Sequence, residues 1–99
     1  MNTLVDEKVP VIKCKEFTLY FEEVNSNIFL HCDVHVRWTK KVKFKLVDGL
    51  NILKQYFNLL VCLDLENKKL GKFIDLLGFK YLKSIIGTDN KDYDIYVWR

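Results

Sequence analysis

Residues 59–79 read LLVCLDLENKKLGKFIDLLGF, and the period of hydrophobicity changes once inside that stretch. Leu59 to Leu63 are apolar without interruption, the pattern of a strand covered on both faces. After Asn67, Leu70, Phe73, Ile74 and Leu77 recur at three- and four-residue spacing, one stripe of a helix over 67–77. Gly78 is placed to end that helix, because glycine takes the left-handed conformation of a helix C-terminus at little cost.

Working upstream, Val42, Leu46, Leu50, Leu53 and Phe57 share a second helical face. Thr39 is placed to cap its start, and the helix is predicted to end near Asn58. Before it, residues 28–36 alternate. Ile28, Leu30, Cys32, Val34 and Val36 make an apolar core face, and Phe29, His31, Asp33 and His35 make the opposite one. A strand, a helix and then a buried strand predict a βαβ crossover with parallel pairing.

Residues 16–24 alternate in the same way, with Phe17, Leu19 and Phe21 facing opposite to Thr18, Tyr20 and Glu22. Asn25-Ser26-Asn27 joins the two runs into a hairpin, since Asn tolerates the left-handed backbone of tight turns. Val11–Cys14, opened by Pro10, reads as an edge strand, and residues 1–9 as a polar lead-in. Downstream, Phe79–Ile86 and Tyr93–Trp98 read as strands joined by the turn-rich residues 87–92. The predicted order is β-β-β-α-β-α-β-β. It describes an α/β (α+β) chain with a mixed, mostly antiparallel sheet, one domain over residues 1–99.

Composition narrows the function classes. With 49% hydrophobic and 14% aromatic residues, the 99-residue chain is outside the disordered class. Residues 1–49 carry eight basic and seven acidic side chains, and residues 50–99 eight and six. A basic arm on a neutral body, common in nucleic-acid binders, is therefore absent. Cys14, Cys32 and Cys62 form no CxxC pair and read as free thiols of a reducing cytoplasm. No signal-peptide pattern opens the chain, and no apolar stretch reaches the roughly 18–20 residues of a membrane span. The absence of Ala and the excess of Lys over Arg fit an AT-rich coding genome such as that of a phage or mobile element.

The Asn67, Leu70, Phe73, Ile74, Leu77, Gly78, Phe79 series, after a buried strand and before an aromatic closing hairpin (Tyr93, Tyr96, Trp98), resembles the GNAT N-acetyltransferase family. The resemblance covers about residues 16–98, with motif-level agreement only at 67–79. It implies a GNAT-like fold lacking the family's first strand and first two helices. It further implies acetyl-CoA between the strand ending at Val36 and the Leu59–Leu63 strand, held by Val34, Val36, Arg37, Lys40, Lys41 and Asn67. His35, aided by Asp33, would then be the catalytic base.

Two departures oppose acetyl transfer. The family's Q/R-x-x-G-x-G/A loop needs glycines so that backbone amides can approach a pyrophosphate. Started at Arg37, that pattern meets Lys40 and Val42; started at Thr39, it meets Val42 and Phe44. The family's general-acid tyrosine, seven residues after the Asn, is here Ile74, which cannot move a proton.

Outside the resemblance, His31 and His35 stand about 13 Å apart at strand rise, too far to share a metal. A hydrogen-bonded outer face is the plainer reading of His31, Asp33 and His35. Arg37, Lys40, Lys41, Lys43 and Lys45 gather positive charge, with Trp38 among them, where the helix dipole disfavours it. The expectation is thus a small GNAT-like binding protein, without cofactor or metal, of phage or mobile-element type. It would be an inhibitor or virion component contacting a protein through Trp38, Lys40, Lys41 and Lys43. Acetyl-CoA-dependent N-acetyl transfer, and nucleic-acid binding through residues 37–45, are the alternatives.

Overall fold

Alternation, capping residues and turns divide the chain into eight elements in a computed structural model that describes residues 7–99. They are β1 (Lys8–Lys13), β2 (Phe17–Val24), β3 (Asn27–Val34), α1 (Lys40–Leu53), β4 (Leu59–Asp64), α2 (Lys68–Leu77), β5 (Lys80–Ile86) and β6 (Asp92–Trp98). The result is an α+β fold with one six-stranded sheet in the order β1-β2-β3-β4-β6-β5. All neighbouring strands are antiparallel except β3 and β4, which run parallel, so the sheet is mixed.

Local chemistry fixes the ends of these elements. Asn25 and Ser26 both have positive φ, 51° and 69°, and Val24 pairs with Asn27, so β2 and β3 meet in a two-residue hairpin loop. The Thr39 hydroxyl accepts the Val42 N–H at 3.2 Å and starts α1, while Asn67 Oδ1 accepts the Leu70 N–H at 3.1 Å and starts α2. Gly78, at φ 92°, ends α2 with its N–H on the Ile74 carbonyl. Gly49 lets α1 lie close on the first two strands: a β-carbon there would stand 3.3 Å from Ile12 Cδ1.

Strand register decides where the core sits. Phe17, Leu19 and Phe21 lie opposite Val34, Cys32 and Leu30, and Leu59, Val61 and Leu63 lie opposite Trp98, Tyr96 and Asp94. One hydrophobic cluster joins Leu19, Leu30, Leu59, Val61 and Leu63 to Leu46 and Leu50 of α1 and Ile74 and Leu77 of α2. Both helices therefore cover the same face of the sheet. On the opposite face, Thr18, Tyr20, His31, Leu60 and Cys62 follow in register, and no helix lies over them among the described residues. Ile95 and Val97 are buried on that face too, between Cys62 and Lys83 and between Leu60 and Lys80.

Several expectations change. The run Leu59–Leu63 is covered on one face only: Leu59, Val61 and Leu63 are buried, Leu60 is half-buried and Cys62 is exposed, because both helices chose one side. β1 already begins at Lys8, paired with Glu22, so the end of the expected lead-in is strand; residues 1–6 lie outside the described residues. β3 stops at Val34, and Val34 and Val36 are 37% and 36% exposed, since among the described residues no strand pairs β3 on that side at this level. α1 stops at Leu53 because Gln55 and Tyr56 bond to carbonyls three residues back, a tighter turn than an α-helix. Phe57 still reaches the core edge, meeting Phe21 edge-on at 5.0 Å.

Leu50 is 0% exposed between α1 and the sheet, so Leu50→Ala should cost about 2–5 kcal/mol and lower the urea midpoint sharply. Ile52→Ala, on the solvent side of the same helix, should stay within about 0.5 kcal/mol of the parent chain.

Candidate ligand cleft

β3 and β4 pair at only two positions, Ile28 with Leu59 and Phe29 with Leu60, although both strands continue. Beyond Phe29 they separate. In the β2–β3 ladder every pair keeps one register, and the His35 N–H donates to the Glu16 carbonyl at 2.8 Å. Antiparallel ladders alternate, so His31 and Asp33 also direct their main-chain groups toward β2. Leu30, Cys32 and Val34 direct theirs into the gap.

The gap opens a cleft of about 950 Å³ lined by Leu30, Val34 and Val36 on one side and Val61, Leu70 and Phe73 on another. Trp38 is not a free surface residue: it packs edge-on against Phe73, ring centres 5.4 Å apart, and forms part of the wall. Asn67 lines the cleft as well, with its carbonyl oxygen committed to the start of α2. Arg37, Lys40 and Lys41 are exposed around the start of α1, and Lys43 is half-buried.

The structure therefore brings Val34, Val36, Trp38 and Asn67 to one cleft. Val42, which falls at a glycine position in either register of the expected loop, is buried in the core. Its side chain is not what obstructs a phosphate. The Val42 amide is instead occupied by the Thr39 hydroxyl, which takes one of the main-chain donors of the first turn of α1.

His31, Asp33 and His35 reach the cleft from the uncovered side of the sheet. His31 Nε2 meets Glu22 Oε1 at 2.7 Å, and His35 Nε2 meets the hydroxyl of the buried Thr18 at 2.8 Å. His35 thus pairs diagonally across β2, and Thr18 is its partner. Sequence pattern showed the shared face; the diagonal partner depends on register. Beside Asp33, the Tyr20 hydroxyl is held above its usual range, first by burial and then by its hydrogen bond to that carboxylate. Where a general acid would stand on α2, Ile74 is 1% exposed inside the core.

The arrangement can hold an extended chain by main-chain hydrogen bonds between apolar walls. It offers no activated nucleophile from the nearby thiols. Burial, with the Asp33 charge adding to it, pushes the Cys32 thiol up to about 12, and burial also raises Cys62. Among the described residues, no three His, Cys, Asp or Glu side chains are grouped to hold a metal ion, and no helix is long and apolar enough to cross a membrane.

A thiol at about 12 is about one part in ten thousand thiolate at pH 8. Iodoacetamide at that pH should leave Cys32 unmodified in the native protein, and mass spectrometry should show its alkylation rising with pH or on unfolding. Rapid native alkylation of Cys32 at pH 8 would contradict this account. No family model, curated protein or solved structure matches the chain.

Proposed function

We propose that the chain is a GNAT-like domain, organised around a β3–α1–β4 crossover, that works by binding a protein partner and does not carry out ordinary acetyl transfer. The observation that carries this reading is the capped first turn of α1. A diphosphate at a helix N-terminus is held by free main-chain amides, and here Thr39 takes the Val42 amide while no glycine loosens the turn. Ile74 in place of an acid removes a second requirement of the chemistry. The first turn of α1 therefore offers one amide fewer, and no glycine cradle, to the phosphate end of coenzyme A. A role as an inhibitor or virion component of a phage or mobile element suits a small binding domain of this composition.

One observation favours a second reading, acetyl-CoA-dependent N-acetyl transfer. The parted β3 and β4 strands, with the main-chain groups of Leu30, Cys32 and Val34 turned into an apolar cleft, suit the amide-bearing pantetheine arm. In that reading Val34, Val36 and Asn67 line the arm, Arg37, Lys40 and Lys41 stand at the phosphate end, and His35 is the base.

Titration calorimetry separates the two. The binding reading expects no saturable heat from acetyl-CoA up to millimolar ligand, and no thiol release when amines are added with acetyl-CoA. Micromolar binding with turnover, lost in His35→Ala, would establish the enzyme instead.

A further inference from the structure

Charge that looks even when the chain is halved is uneven by segment. Six of the sixteen basic residues and one of the thirteen acidic residues lie between Arg37 and Lys54, so that segment carries +5 and the rest of the chain −2. Lys45 is tied to Glu16 at 2.8 Å, which leaves five other cations and one carboxylate, Asp48, in the segment. On the solvent side of α1, Phe44 is 63% and Ile52 58% exposed. Helix spacing puts Asp48 one turn from each and sets the two apolar residues about 12 Å apart.

Phe44 and Ile52 stand outside the hydrophobic core, which α1 reaches through Val42, Leu46 and Leu50 on its other side. We propose that the solvent face of α1, with Phe44 and Ile52 as apolar anchors and Lys40 and Lys41 beside them, docks an acidic amphipathic segment of a partner protein. Phe44 and Ile52 favour a protein over nucleic acid, since they match apolar side chains, which a phosphate backbone lacks. The proposal rests on reading the chain as a binding domain and names the surface and the chemistry of what it binds.

Fluorescence anisotropy tests this with a labelled synthetic helix of about 16 residues, Glu on one face and Leu on the other. The parent chain should bind it with salt-sensitive affinity, and a Gln-for-Glu version should not bind. Phe44→Ser with Ile52→Ser should weaken binding by about tenfold or more, as should Lys40→Glu with Lys41→Glu. Both pairs change exposed residues, and an unchanged amide NMR spectrum away from α1 confirms that the variants fold. Absence of peptide binding, or binding indifferent to either pair, overturns the proposal. So does tighter binding of duplex DNA or of phosphatidylserine vesicles through the same residues. Acetyl-CoA turnover would retire the binding reading of the domain without touching these results, whereas indifference to the α1 substitutions would retire this surface alone.

Discussion

Two residue pairs hold β3 to β4, and much of the molecule's character follows from how few they are. A parallel pair that continued would satisfy the main-chain groups of Leu30, Cys32 and Val34 and bury the side chains beside them. The strands part instead, with α1 leaving the end of β3 and α2 the end of β4. The walls of the resulting cleft come from both helices and both strands, and Trp38 and Phe73 pack across it. Val34 and Val36 are exposed for the same reason.

The second consequence of this layout is asymmetry. With α1 and α2 on one face, the other face keeps its polar cross-strand pairs, His31 with Glu22 and His35 with Thr18. Each histidine is held by a neighbour on β2. Paired polar groups on a half-solvated sheet satisfy hydrogen bonds and help fix register. Thr18 is 3% exposed, so its hydroxyl needs a partner, and His35 supplies one.

Sequence pattern revealed much of this and missed the rest for identifiable reasons. Alternation located β2 and β3, the three- and four-residue periods located both helices, and Thr39, Asn67 and Gly78 marked their ends, because each of these signals is local. Leu59–Leu63 misled because a five-residue apolar run records hydrophobicity and not which faces are covered; both helices took the same side, leaving Cys62 exposed. β3 ends at Val34, paired with Phe17, so Val36 falls beyond the strand although the alternation runs on to it. Asp33 shares a face with His35, but the side chain that meets the His35 ring is Thr18, diagonally across the ladder, which spacing within one strand does not reveal. Phe44 falls off the Val42–Leu46–Leu50 stripe by spacing alone, but that no other described element covers it depends on tertiary packing, which spacing does not show.

That phase also bears on chemistry. In α1, Val42 both packs in the core and gives its amide to the Thr39 cap, so one residue serves the fold in two ways at the position where phosphate binding would require the amide free. Releasing that amide means giving up a cap, which costs about 1 kcal/mol, and a small domain has little stability to spare. Lys40 and Lys41 sit on the same turn, where their charge opposes the helix dipole. At a phosphate site the cap and the lysines would pull apart, since the cap takes one amide of the turn while the lysines would attract the anion. They agree if the cap secures the helix and the lysines look outward, toward a surface that approaches α1 from solvent.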